Sequence, residues 1–287
     1  MASTSPIDKE AGKAIFNRIW SHTVGIVNES EKERQVGKLP DGRRVEESPP
    51  GTASLIQWGK NCCILTAEHV IRSADADDLK FFVRRNSLKE QSREEVENQA
   101  FVEAYQPKPM EIDSIFRCTW EDMAVLTVAL TQLKAEPHKL KSAWADPPEG
   151  AIIQSLGFPT YNPLPLGIEQ IGEQEQRTIG LTPTIWDAKV VPPPSAWEES
   201  FLVNYPYDSG KHFLTEWKPT DPRMGLKGFS GAAAWTLVSV PSGELWSTKL
   251  LFAGMCTHYY RDKGLGRMIK ASVVLKFLEE VLGSGIN

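Results

Sequence analysis

The stretch Gly51-Thr52-Ala53-Ser54-Leu55-Ile56-Gln57-Trp58, followed after a short gap by Cys62-Cys63-Ile64-Leu65-Thr66-Ala67-Glu68-His69-Val70, decides how this chain folds. Ala53 to Trp58 and Cys62 to Ala67 are apolar runs of strand length, and His69 stands directly after the second. Two further segments take up the same theme. In Asp122-Met123-Ala124-Val125-Leu126 an Asp opens an apolar run, and in Gly228-Phe229-Ser230-Gly231 a Ser lies between glycines. A base, an orienting carboxylate and a nucleophile thus occur in the chain order His, Asp, Ser.

The chemistry requires all three. A neutral serine hydroxyl is a poor nucleophile near pH 7, so acyl transfer needs an imidazole within hydrogen-bond reach. That imidazole must be held in one tautomer by an acceptor on its other nitrogen. Ser230, His69 and Asp122 can fill these roles, with base and carboxylate in one half of the chain and nucleophile in the other. The site is then expected in the crevice between the halves. Alone, each signal is weak: a single His is usually structural, an Asp before an apolar run is often a turn residue, and Gly-x-Ser-Gly is a common loop. Their order and local settings carry the reading together, and that order excludes the Asp-His-Ser and Ser-Asp-His arrangements found on other folds.

Around these segments the chain reads as many short strands. Residues Asp8 to Trp20 have a helical apolar spacing that switches to a strand-like run at Thr23 to Val27. Glu29 to Gly51, charged and rich in Pro and Gly, reads as an exposed loop, and Asn86 to Asn98 as a solvated charged segment. Further strands are predicted at Leu79 to Arg84, Met123 to Val128, Ile152 to Gly157, Thr178 to Pro183, Lys189 to Val191, Phe201 to Asn204, Gly231 to Val238, Leu250 to Met255 and Arg267 to Ile269. Leu133 to Gly150 reads as a crossover. Val274, Phe277, Leu278 and Val281 predict a closing helix ended by Gly283. The pattern is that of an all-β barrel or sandwich. Two long segments, Tyr161 to Gln176 and Val191 to Lys227, read as packed surface loops or as a rim shaping access.

The 287 residues suffice for a sizeable core without metal or disulfide support, and no cofactor or metal is implied. A net charge of −5 with dispersed Lys and Arg gives no footprint for nucleic acid. No stretch reaches membrane-spanning length and the first residues lack a secretory pattern, so a cytoplasmic, membrane-free protein is expected. Cys62 and Cys63 should point to opposite strand faces and share neither a disulfide nor a metal; with Cys118 and Cys256 they are expected reduced.

The three segments resemble the trypsin/chymotrypsin-like serine peptidases. The resemblance spans roughly Val24 to Leu282 and implies a single domain of two perpendicular six-stranded β-barrels with the site at their junction. The N-terminal barrel would span about 23–135, the C-terminal barrel about 150–272, and the closing helix about 272–282. The resemblance implies His69, Asp122 and Ser230 as the catalytic set and the backbone N–H groups of Gly228 and Ser230 as the oxyanion hole.

Departures narrow the resemblance. Members activated by cleavage have an Asp before the nucleophile, where this chain has Phe229, and no cleavage motif precedes Thr23. Val70 and Lys227 stand where many members have cysteines, and Gly231-Ala232 replaces Gly-Gly or Gly-Ser, so the chain looks closer to bacterial, disulfide-free members. Met224 falls at the position implied for the base of the primary pocket and gives no reason to select Lys or Arg. Cys256 and His258 would share a face of the pocket-wall strand if it is regular, letting His258 favour acidic or Gln side chains; an apolar or small preference is the alternative that Met224 supports.

The implied activity is a regulated endopeptidase acting on a protein substrate, with a regulatory protein or co-encoded sensor as a further partner. By analogy with bacterial members it would serve stress or phage defence. A peptidase-fold binding module and an esterase with the same three residues are the competing readings.

Overall fold

The computed structural model describes residues 14–15, 17–28, 30, 35–38, 44–47, 51–83, 104–105, 111–129, 138–139, 143–158, 168–171, 174–177, 179–180, 184–194, 207–216, 228–242, 245–260 and 263–284. A short N-terminal helical segment lies within 14–21 and leads directly into the first strand.

The first sheet is built from β1 (Thr23–Asn28), β2 (Gly51–Trp58), β3 (Asn61–Thr66), β4 (Leu79–Val83), β5 (Ile112–Cys118) and β6 (Met123–Val128). Its order is β4-β1-β2-β3-β6-β5, and His138–Lys139 pairs in parallel with β2. The second contains β7 (Ile152–Gly157), β8 (Thr184–Val191), β9 (His212–Glu216), β10 (Ala233–Ser242), β11 (Leu245–Tyr260) and β12 (Leu265–Lys270). It closes into a barrel in the order β7-β8-β9-β12-β11-β10. The expected pair of six-stranded sheets is present, with one refinement: among the described residues only the second closes, and the first is a half-barrel whose end strands, β4 and β5, are not joined.

The apolar runs are continuous because both faces of these strands are buried. Successive side chains alternate between faces. Ala53 and Leu55, Cys62 and Ile64, and Ala124 and Leu126 point into the first sheet's own core with Val24 and Ile26. Ile56 and Trp58, Cys63 and Leu65, and Met123 and Val125 point the other way, into a second core shared with Trp235, Phe252 and the C-terminal helix. The closed barrel holds a third, with Ile153, Phe213, Phe229, Ala234 and Met268. Each fully buried large side chain contributes about 1.5–3 kcal/mol, so the core between the sheets, with Trp235 and Phe252 at its centre, is the main cohesive term joining the halves.

The C-terminal helix, Ala271–Leu282, turns Val274, Phe277 and Leu278 into that shared core. Its first turn is held by Asp146, which accepts from Ser272 N (3.0 Å) and Ser272 Oγ (2.6 Å). Gly283, at φ +80°, ends it. The Gly283 carbonyl accepts from the Trp58 indole (2.8 Å), fastening the helix end to the first sheet.

Several expectations are corrected. Within Glu29 to Gly51, Gln35–Lys38 and Arg44–Glu47 pair as an antiparallel hairpin, and in the stretch from Tyr161 Ile168–Ile171 pairs with Gln174–Arg177, which runs one residue past Gln176. The sequence pattern predicts neither β5 nor β9, and β9 falls inside Val191 to Lys227, the stretch that reads as packed surface loop or access rim. His212, Phe213, Leu214 and Thr215 are buried and complete the barrel between β8 and β12. Phe201 to Asn204 and Asn86 to Asn98 lie outside the described residues. Cys62 and Cys63 do face different cores, and all four thiols are free.

Candidate active site

β3 ends at Thr66 and the chain tightens into a single 3-10 turn, Glu68–Val70, closed by Val70 N–H to the Ala67 carbonyl (3.1 Å). Glu68 is buried, and its carboxylate accepts from Arg72 Nη2 (2.7 Å) and Nε (3.0 Å), bracing the turn that carries His69.

Asp122 sits immediately before β6 at φ +57°, a left-handed backbone that a non-glycine residue adopts at a cost. The gain is the placement of its carboxylate. Oδ1 accepts from the His69 backbone N–H (3.0 Å), and Oδ1 and Oδ2 lie 2.9 and 2.8 Å from His69 Nδ1. A carboxylate can only accept, so Nδ1 carries the ring proton. Nε2 is left as the acceptor. The Asp122 side chain is largely buried (11% exposed) while that of His69 is 35% exposed, which keeps the pair out of bulk solvent and the ring accessible.

Ser230 projects from a turn whose flanking glycines both have positive φ, Gly228 at +96° and Gly231 at +90°. The turn is closed by Ala232 N–H to the Phe229 carbonyl (2.8 Å) and tied to β11 by Gly231 N–H to the Cys256 carbonyl (2.8 Å). Phe229, 1% exposed, fills the barrel core against Gly157, so an apolar anchor stands beside the nucleophile. A Cβ on Gly231 would run into the Thr52 carbonyl oxygen and Thr66 Oγ1 and press on Ala67 N. Gly231 is therefore packed against the segment that ends in His69. The Thr52 backbone N–H donates to the Ser230 carbonyl (3.2 Å), and Ser230 Oγ lies 3.5 Å from the Thr257 carbonyl of β11.

Gly228 and Ser230 both stand on this turn. Met224 lies outside the described residues. Cys256 is 2% exposed in the barrel core, and burial pushes its thiol up to about 12. The pairing of β11 with β12 shifts register between Cys256 and His258, so the regular strand that would put these two on one face is broken by a bulge. The shared pocket face is thereby corrected. His258 is half-buried, packs edge-on against Tyr260 (4.9 Å between centroids), and is held down to about 4 by burial, by Arg267 and by His69. It stands near the His69–Asp122 pair as a neutral ring at pH 7.

Sequence reading missed Thr52, Ser54, Glu121, Lys211 and Thr257. Hydroxyls at alternate positions of a buried, mostly apolar strand are the available signal for the first two. Glu121 and Lys211 form an ion pair joining the Asp122 turn to the turn before β9, and Glu121 Oε2 also lies 3.7 Å from His212 Nε2. Among the described residues no cluster of three metal-ligating side chains occurs, and no helix is long and apolar enough to cross a membrane.

No protein-family model matches the chain, and no curated protein matches it by sequence. Solved structures do match. The scabies mite inactivated protease paralogue S-D1 superposes with a TM-score of 0.52 at 13% identity, over 94% of this chain and 95% of that one. A second scabies mite inactivated protease paralogue, S-I1, gives 0.51 at 12% identity over 92% and 96%. At such identity the likeness shows the fold alone: this chain adopts a protease-type, chymotrypsin-like fold.

Proposed function

We propose that this chain is a serine endopeptidase in which Ser230, His69 and Asp122 form the catalytic set. The observation that carries the reading is the double hold of Asp122 on His69, through both backbone N–H and ring Nδ1, which leaves Nε2 free to act as base.

In that mechanism the Ser230 hydroxyl oxygen attacks the peptide carbonyl carbon while its proton passes to His69 Nε2. The resulting imidazolium is stabilised by the buried Asp122 carboxylate, and the developing oxyanion is received by the N–H groups of Gly228 and Ser230. Collapse breaks the C–N bond, with the proton on Nε2 going to the leaving amine. Water, deprotonated by the same nitrogen, then releases the acid and restores the serine.

The fold does not decide activity, since the similar mite structures are those of inactivated paralogues. Here all three side-chain types are present, and the turn bearing Ser230 is packed against the one bearing His69. A protein substrate fits this reading, as does control by a partner protein.

The test is a comparison of new protein N-termini in cells expressing wild type or Ser230→Ala. New termini that appear only with wild type support the endopeptidase; identical patterns contradict it.

A further inference from the structure

Thr52 and Ser54 lie two residues apart on β2, on one face, in a strand whose only other polar side chain is the part-buried Gln57. Both are buried, at 0% and 1% exposure, and a buried hydroxyl must be hydrogen-bonded to be tolerated. Neither bonds within its own sheet; both bridge to the second half of the chain.

The direction of each bond follows from its partners. Thr52 Oγ1 accepts the Phe158 backbone N–H (3.0 Å), so its own hydrogen is available to the Gly228 carbonyl at 2.5 Å. Ser54 Oγ likewise accepts the Ala233 N–H (2.9 Å) and donates to the Gly231 carbonyl (3.3 Å). The two hydroxyls therefore grip the nucleophile turn on either side of Ser230. Thr52 adds a third bond from its backbone N–H to the Ser230 carbonyl, and is itself held by Thr66 Oγ1, which donates to its carbonyl (2.8 Å). Gly228 is the pivotal position: at φ +96° it has no Cβ to restrict its backbone, and the Thr52 hydroxyl on its carbonyl is a direct hold on the peptide joining it to Phe229.

We infer that Thr52 is a positioning residue: its hydroxyl, by fixing the Gly228 carbonyl, sets the orientation of the turn whose N–H groups receive the oxyanion. This rests on the serine-peptidase reading for its catalytic consequence, but not for its structural one. The anchor comes from β2, in the other half of the chain, while Phe229 beside the nucleophile is buried in the barrel core.

The experiment uses the full-length chain with Thr52→Val and Thr52→Ser, measured in two ways. Amide hydrogen exchange is followed for the segment covering 228–231, with β6 as internal reference, and the rate of Ser230 modification by a fluorophosphonate is followed in parallel. Thr52→Val removes the hydroxyl at nearly constant volume, taking away the donor to the Gly228 carbonyl and the acceptor of the Phe158 N–H; exchange in 228–231 is expected to rise, and modification to slow, by roughly tenfold or more. Thr52→Ser keeps the hydroxyl and is expected within about threefold of wild type on both. Thr52→Ala, which adds no bulk, takes the place of Val if Val does not fold.

Equal rates in wild type and the variants lacking the hydroxyl, or equal deficits in Ser and Val, overturn the inference. If wild type itself is never modified, the peptidase reading fails, and the exchange comparison still decides whether Thr52 orders the turn.

Discussion

Glu121, the residue before Asp122, is ion-paired with Lys211, so the turn that presents the orienting carboxylate is tied to the turn that opens β9 in the closed barrel. Lys211 is anchored in turn by its backbone, whose N–H donates to the Asp208 carbonyl (2.9 Å) and whose carbonyl accepts from Lys270 N–H (2.9 Å). The Lys211 side chain is 47% exposed, so solvent and salt screen the pair. Lys211→Met is expected to slow fluorophosphonate modification of Ser230 by roughly two- to fivefold. The wild-type rate should fall toward that of the variant as salt is raised. A variant faster than wild type, or a difference independent of salt, contradicts this role.

Asp122→Asn tests the tautomer argument. The amide preserves size and can still meet the His69 backbone, but its NH2 can donate to Nδ1, leaving the proton on Nε2, where it blocks base catalysis. Modification of Ser230 is expected to fall by roughly 10³–10⁴-fold with little change in melting temperature. A loss below tenfold would show that the carboxylate does not orient His69 for reaction.

Gly231→Ala meets two obstacles: a φ of +90° and a Cβ driven into the Thr52 carbonyl and Thr66 Oγ1. Because the obstruction is backbone and a buried hydroxyl, relief requires the halves to separate locally. A destabilisation on the order of 2–4 kcal/mol is expected in denaturant unfolding, with loss of Ser230 reactivity. A fully stable, reactive Gly231→Ala would refute the close packing of these turns.

Two histidines give the stability a pH dependence. His212 is 4% exposed, and burial, then Arg267, pushes it from 6.5 down to about 4; His258 is pushed down to about 4 as well. The His212 ring accepts the Asp208 N–H at Nδ1 (3.0 Å), which fits a neutral ring with its proton on Nε2. Both rings are neutral when folded, whereas the unfolded chain binds protons below pH 6.5. Stability is thus fully present above about pH 6.5 and is lost as pH falls toward 4. For His212 the loss is about 3 kcal/mol. His212→Phe should flatten the melting-temperature profile between pH 6.5 and 4. An unchanged slope counts against the assignment.

Much of the fold was legible because both faces of the strands around the site are buried. Runs such as Ile64-Leu65 and Val125-Leu126 are apolar on both sides of the sheet, which is why the sequence pattern places β3 and β6 to within a residue. β5 was not seen because it is only half-buried, carries Asp113, Ser114 and Arg117, and has a bulge near its start that spoils its alternation. β9 was hidden differently: five residues, His212-Phe213-Leu214-Thr215-Glu216, inside a proline- and aromatic-rich stretch, give too short a period to read. At the site, the contact of His69 with Asp122 was legible from order and setting. The hydroxyls of Thr52 and Ser54 were not, because their partners are backbone carbonyls more than 170 residues away.

The most direct measurement is the intact mass and modified position after treating purified wild type and Ser230→Ala with a fluorophosphonate, in the presence and absence of lysate from the native host. One adduct is expected, on Ser230, absent from Ser230→Ala and strongly reduced in His69→Ala. No adduct on Ser230 under either condition, or equal labelling of Ser230→Ala, would contradict it.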